Sequence, residues 1–477
     1  MKGLFIKNLA LSQGLNLIIK PLWLLVIDRT AQNLLGIQYG EYYIILNLTL
    51  LLNIVLDIGI QSFNNTHVAA NLSFFKTYFK QLVGIKILLS IVYFAIVLLL
   101  GYFKKLDFTV LIILAISQVL TSFVLYFRSN LNGLHLYKID SLMSVSDKFF
   151  GILICLFFYY SNKISIFYFA SAQLIGISIS LVIVVYLNLK HFKLITTELV
   201  ENNGIIPLLK KSLPFAILFA LMGLYTRIDV FLLALLLENP FYQTAVYAQG
   251  YRLLDASSMF AMLFAGLLLP MFAKQISVNE DVKPLTILSS SILMPVTISV
   301  AMGSFFFSEK IMRALTNYKS IEQIEYVSSV FEIIMICFIP MGLIFIFSTL
   351  LTAKKDIKSL NKFALTALVL NVVLNLFLIK SHQAYGAAIA ALVTQSAFAL
   401  LCFLRCFKLF DFKFQFSVFL RYTIFAISLI GIYVLVKSPQ SLILNLLSFF
   451  AGAIGLVFLL KIIDCKNVLS YFGQKEQ

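Results

Sequence analysis

Runs of apolar residues recur from one end of the 477-residue chain to the other, separated by short polar connections. About 20 predominantly apolar residues cross the hydrocarbon core as a helix. Windows of that kind predict fourteen spans, at 7–27, 42–63, 82–103, 108–128, 141–161, 164–187, 212–236, 245–272, 285–307, 327–352, 359–380, 385–404, 417–436 and 441–460. No connection exceeds about 24 residues, which leaves no room for a soluble domain between spans. The predicted fold class is an all-α polytopic membrane protein.

Eight ionisable residues interrupt the apolar runs: Lys20, Asp57, Asp147, Lys148, Arg227, Asp229, Arg252 and Asp255. A charge near the bilayer centre costs roughly 3 kcal/mol on insertion scales, so such residues face a bundle interior or a wet cavity. That combination predicts a transporter for something polar.

Composition acts mainly by exclusion. The chain is 61% hydrophobic and 12% charged, with a mean hydropathy of +0.97, whereas a soluble domain carries about 25% charged residues. The formal charge of +16 is spread over the connections instead of forming one basic face, which argues against nucleic acid as a partner. Five cysteines (Cys155, Cys337, Cys402, Cys406 and Cys465) lie in or beside spans and show neither a disulfide framework nor a zinc spacing. His67, His135, His191 and His382 are scattered in connections and suggest no metal site. In the opening segment Lys20 and Pro21 interrupt the apolar run and no small-residue cleavage site follows, so it is expected to remain as a first helix.

Lys and Arg are more than twice as frequent on the side that includes the N-terminus as on the other. The positive-inside rule then puts both termini in the cytoplasm. The longest inside connection, with Lys190, Lys193, Lys210 and Lys211, separates spans six and seven. The predicted organisation is a six-helix lobe over 1–190, a cytoplasmic linker over 191–211, a second six-helix lobe over 212–410, and two additional spans with a tail over 411–477. A weak internal repeat supports the division. Leu35 to Tyr43 leads into span two as Gln243 to Tyr251 leads into span eight, and matching Gly40 with Tyr247 sets Lys20 opposite Arg227.

Several pieces carry a family resemblance. They are Leu35-Gly36 with Tyr39-Gly40-Glu41-Tyr42, Asp57-Ile58-Gly59-Ile60, Ser212-Leu213-Pro214, Asp229, Val246-Tyr247-Ala248 through Arg252, and Asn371 to Asn375 followed by Tyr385-Gly386-Ala387-Ala388-Ile389-Ala390. In this order, over most of its length, the chain resembles the Wzx-type polysaccharide (O-antigen) flippases of the multidrug/oligosaccharidyl-lipid/polysaccharide exporter superfamily. The resemblance implies two six-helix lobes in a V shape, plus two extra C-terminal helices, working by alternating access. It also implies a place in the bacterial cytoplasmic membrane and export of undecaprenyl-pyrophosphate-linked oligosaccharide for lipopolysaccharide or other surface-polysaccharide assembly. Membrane lipids and other polysaccharide-assembly proteins are the expected partners. The drug-exporting branch shares the architecture, so the likeness bears on fold before substrate.

A lipid-linked oligosaccharide needs cations for its pyrophosphate in a hydrated cleft and an apolar gap for its tail. Arg offers a planar fork to phosphate oxygens and Lys a point charge. Lys20, Arg227 and Arg252 are the candidate phosphate ligands, with Asp229 and Asp255 beside them. A second reading stays open, because Arg227 is two residues from Asp229, Arg252 three from Asp255, and Lys148 adjacent to Asp147: structural ion pairs would leave the same list. Arg252 and Asp255 can share a helical face, whereas Arg227 and Asp229 cannot. Asp57 has no basic neighbour within its span. It is the candidate for pairing with Lys20 or for carrying a coupling ion, or else is a helix-end residue near water. Asn371 and Asn375, four apart, could bond sugars or neighbouring helices. Pro21 and Pro340 with Gly342 mark sites of bending or of static kinks.

No Gly-rich phosphate loop with a following Lys is present, so neither nucleotide hydrolysis, catalytic residues nor a cofactor is expected. A proton or sodium gradient or the membrane potential would drive transport. The alternatives are a cation-coupled multidrug exporter, which should carry cavity acids without basic partners, and a peptidoglycan lipid-precursor flippase. A membrane-embedded glycosyltransferase or polymerase would need a large loop or soluble domain that this chain lacks.

Overall fold

The computed structural model describes residues 14–463 except 17, 58, 62–63, 65–71, 135, 195–205, 319, 413–415 and 438–440. His67, His135, Cys465 and much of the 191–211 linker lie outside the described residues. Among those described, the regular elements are helices. The opening helix includes a π-helical segment, Trp23–Asp28, which runs into α1 (Arg29–Leu35). There follow α2 (Gln38–Leu51), α3 (Asn53–Leu56), α4 (Leu72–Phe103), α5 (Phe108–Gly133), α6 (Tyr137–Tyr160), α7 (Ile166–Leu194) and α8 (Ile206–Leu236). The rest are α9 (Pro240–Ser277), α10 (Lys283–Phe306), α11 (Ser308–Leu315), α12 (Ile321–Ile336), α13 (Phe338–Ala353), α14 (Ile357–Leu409), α15 (Phe416–Val436) and α16 (Leu442–Leu459).

Among the described residues, 11 helical stretches are long and apolar enough to cross a membrane. One of them, α14, is two passes joined at Gln383, where φ 52 and ψ −128 reverse the chain. This is the predicted separation of spans eleven and twelve. The two arms touch so closely at the turn that a Cβ on Gly386 would overlap the Leu378 carbonyl. With the opening helix and α8 added, the fourteen predicted spans are accounted for. Gly386→Ala is expected to cost about 1–3 kcal/mol by overpacking this turn, read as a lowered melting temperature in detergent.

The predicted proline sites both carry a backbone irregularity. Pro340 cannot donate to the carbonyl one turn earlier, and there the helix divides, α12 ending at Ile336 and α13 starting at Phe338. Pro21 precedes the π-helical segment by two residues. Single-turn π insertions concentrate at functional positions.

The chain separates into two compact units, 1–245 and 246–477. Contacts group α8 with unit 1, because it packs on α2 and α3. Unit 1 has a core where α4, α5 and α7 meet, with Tyr78, Leu82, Tyr126, Leu131, Ile177 and Val184. The largest contact in unit 1 is α6 on α7. A Cβ on Gly176 would come within 2.8 Å of the Asp147 carbonyl and of the Gly151 amide nitrogen. Small residues allow such backbone approach in membranes, and here it fixes the stretch of α6 that bears Asp147 and Lys148.

In unit 2, α15 and α16 pack on α10 through Met294, Ile298, Phe425, Leu429, Phe449 and Ala453. The turn before α14 is tied to the far end of that helix by Arg405 Nε donating to Asp356 Oδ2 at 2.7 Å. Burial alone would raise the Asp356 pKa, but hydrogen bonds from Arg405 and Ser359, with the Arg405 charge, hold it below the ordinary aspartate value. A carboxylate with a depressed folded-state pKa stabilises above its unfolded pKa and loses that contribution as pH falls through the folded value. Asp356→Asn should therefore destabilise the protein at neutral pH by roughly 1 kcal/mol or less for this partly exposed pair, read as a lowered melting temperature. The difference from wild type should close as the pH falls below the ordinary aspartate range and through the folded-state value.

Candidate functional site

Within unit 1 the opening helix, α5 and α6 assemble a charged cluster. Asn16 Nδ2 donates to Ser144 Oγ at 2.8 Å, fastening the opening helix to α6. Lys20, half-buried on the same helix, lies in the electrostatic reach of Asp147, Arg128 and Lys148. Arg128 Nε is 2.8 Å from Asp140 Oδ1. Lys148 Nζ is 3.4 Å from Asp147 Oδ2 and stands 5.0 Å from the ring centroid of Trp23. The cluster thus sets three cations against two carboxylates, and no ion pair links Lys20 to either one among the described residues. Sequence reasoning selects Lys20 and Lys148 but misses Arg128, which sits at the edge of span four and reads there as a loop charge.

The opening helix also runs past the predicted end of span one, through α1 to Leu35. Asp28 and Arg29 are buried, with Tyr39 Oη donating to Asp28 Oδ2 at 2.8 Å and Arg29 bonding Gln32. Hydropathy could not have found them, because Asp28-Arg29-Thr30 followed after Ala31 by Gln32-Asn33 resembles a connection.

Asp57 has a partner that spacing within its own span does not reveal. Helix α3 ends at Leu56, Asp57 adopts φ −144 and ψ 81, and Gly59 takes φ 73. This break frees the Leu56 carbonyl, which accepts from Lys86 Nζ at 3.0 Å and from Ser122 Oγ at 3.2 Å. The same ammonium lies 3.6 Å from Asp57 Oδ1, with Lys86 almost fully buried and Asp57 about a third exposed, at 31%. Asp57 Oδ1 also accepts the Gln61 amide at 3.0 Å. Asp57 has no basic neighbour within its own span, and α4 supplies one from outside it, Lys86. The signal was a lone Lys in an otherwise apolar span.

Arg227 and Asp229 lie on α8, Arg227 half-buried and Asp229 buried. In unit 2, Arg252 and Asp255 are half-buried on α9, three residues apart. Asn371 and Asn375 are buried on α14, and Asn375 Nδ2 donates to Asn371 Oδ1 at 3.0 Å and to its backbone carbonyl at 2.9 Å. Their bonding thus includes a link along one helix. A further intramembrane acid absent from the sequence candidates, Glu332, accepts a hydrogen bond from Ser308.

Residues 5–276 match the family model described as polysaccharide biosynthesis protein. No curated protein matches the sequence. Among solved structures, the chain is similar to one described as lipid II flippase MurJ in an inward closed conformation, with TM-score 0.64 at 15% identity over 99% of this chain and 100% of that one. It is similar also to an inward-facing multidrug resistance MATE transporter of the MOP superfamily, with TM-score 0.59 at 12% identity over 85% and 94% of the two chains. The Vibrio cholerae MATE transporter VcmN in its bent form gives 0.55 at 14% identity over 85% and 97%. The fold is that of the MurJ and MATE exporters.

Proposed function

Since the chain belongs to the polysaccharide biosynthesis protein family, we propose that it is a flippase carrying undecaprenyl-pyrophosphate-linked oligosaccharide across the bacterial cytoplasmic membrane. It moves the cargo from the inner to the outer leaflet by alternating access, for surface polysaccharide such as O-antigen, with both termini cytoplasmic. The observation that carries this reading is the cation excess around Lys20: Lys20, Arg128 and Lys148 share two carboxylates, Asp140 and Asp147, and the cluster keeps a net positive charge for an anion. A pyrophosphate leaving water needs such partners, since desolvating an unpaired anion is prohibitive. Arg227 on α8 and Arg252 on α9 are the further proposed phosphate ligands, with Asp255 on the helical face of Arg252.

The same pairs speak against the multidrug-exporter alternative. An organic cation calls for carboxylates without basic partners, whereas Asp57, Asp140 and Asp147 each have a Lys or Arg within 3.6 Å. MurJ is described as a lipid II flippase, and a peptidoglycan precursor shares the pyrophosphate. That variant differs in cargo, not in the chemistry of recognition.

Each charge moved through 100 mV is worth about 2.3 kcal/mol, so carrying a pyrophosphate out of a negative cytoplasm is electrically downhill. The membrane potential is the proposed driving force. Asp57, engaged by Lys86, is assigned a structural role in preference to proton or sodium coupling. The protein performs no bond chemistry in this scheme; other polysaccharide-assembly proteins make and consume the cargo.

The test is mass analysis of polyprenyl-pyrophosphate glycans in cells lacking the protein, with sidedness read by an impermeant sugar-modifying reagent. One glycan held on the inner leaflet is expected. Normal glycans together with new sensitivity to organic cations would overturn the proposal in favour of the exporter, and accumulation of the peptidoglycan precursor would reassign the cargo.

A further inference from the structure

A crevice of about 260 Å³ opens in unit 1 between the opening helix, the end of α6 and the start of α7. It borders the charged cluster through Phe169, which stacks on Trp23, and is not needed by the transport reading. Its walls are apolar side chains such as Ile27, Ala31, Leu156 and Phe169. Val26 and Leu34, on the rim, are 49% and 46% exposed. In a membrane-spanning unit such a rim faces hydrocarbon.

One end of the crevice is polar. Lys163 lies there, in the turn joining α6 to α7, with its ammonium 5.7 Å from the Tyr168 ring centroid. Helix α7 begins three residues later, and its N-terminal dipole adds to the positive potential. A hydrocarbon slot with a cation at one end matches a molecule with a chain and an anionic head. A neutral lipid would leave the charge unused, and a soluble anion would leave the slot empty.

We propose that this crevice holds an acyl chain of an anionic phospholipid of the surrounding bilayer, with its phosphate at Lys163. The wall it contacts includes Val26 and Ile27 of the π-helical segment. A bound chain therefore braces the irregular part of the helix that also bears Lys20.

The chain's single tryptophan provides the readout. Trp23 is buried at 4% exposure and stacks on Phe169 of the crevice wall, ring centroids 5.8 Å apart. A brominated acyl chain in the crevice will quench its fluorescence, while bulk lipid is kept off by burial. The full-length protein is reconstituted in phosphatidylcholine vesicles containing an equal small fraction of dibrominated phosphatidylglycerol or dibrominated phosphatidylcholine. The expected preference for phosphatidylglycerol is about fivefold in occupancy, which corresponds to about 1 kcal/mol for one surface cation. Lys163→Glu should abolish the preference, and Ala31→Phe should weaken quenching by both lipids by filling the slot. Lys163 is exposed and its replacement leaves the fold intact, so the proposal does not depend on the bulkier variant. Equal quenching by the two lipids, or a preference that survives Lys163→Glu, would overturn it. Displacement of brominated phosphatidylglycerol by a few mole per cent of a polyprenyl phosphate would also overturn it, assigning the slot to the tail of the transported lipid.

Discussion

Asp57→Asn is expected to destabilise unit 1 by about 3–5 kcal/mol, the cost of stranding one member of a buried ion pair. The asymmetry between the partners sharpens the expectation. Lys86 is 2% exposed and Asp57 31%, so removing the carboxylate charge leaves an ammonium that water cannot reach. Lys86→Met instead leaves a carboxylate with partial access to solvent, together with a Leu56 carbonyl still held by Ser122. It should cost less, on the order of 1–3 kcal/mol, the range for an unsatisfied polar group. The double variant should recover part of the loss, because no buried charge then remains. Thermal unfolding in detergent of the two singles and the double measures all three. Equal losses that simply add would mean that Asp57 and Lys86 act independently, and the coupling-ion role would regain its place for Asp57.

Lys20→Glu should reduce transport by about 100-fold or more with little change in melting temperature. Each charge-assisted hydrogen bond to an anion is worth about 1.5–3 kcal/mol. Reversing the sign removes that attraction and sets a carboxylate against the pyrophosphate; about 2.7 kcal/mol already amounts to two decades. Lys20→Arg should retain most activity, whereas Lys20→Gln should fall between. Restoration of surface polysaccharide in cells lacking the protein gives the first readout, and sidedness of the lipid-linked glycan the second. Stability must be followed in parallel, since Asn16 on the same helix anchors it to Ser144. Full transport by a stable Lys20→Glu protein would remove the cluster from the cargo's path.

The difference between these residues shows where sequence reading stopped. Lys20 is conspicuous because a charge in an apolar run is costly wherever the helix packs. Lys86 carries the same signal, but its partner is 29 positions earlier on a separate helix, a relation no periodicity encodes. Arg128 was hidden by its place at a span boundary. Asn371 and Asn375, four apart, were legible as one helical face, yet only packing could show that face to be buried.

Hydropathy by itself determined that the chain is a stack of membrane helices, how many times it crosses, and where prolines would disturb it. These follow from local physics: hydrocarbon thickness sets helix length, and a missing amide disrupts the backbone wherever it occurs. Tertiary structure decided which charges meet. Asp57 found Lys86, Asp147 and Lys148 came beside Trp23 and Lys20, and α8 joined unit 1, because interhelical contacts depend on shape at each crossing, such as the close approach at Gly151 and Gly176. An apolar helix can bury any of several faces in lipid, and the choice among them is made by its neighbours.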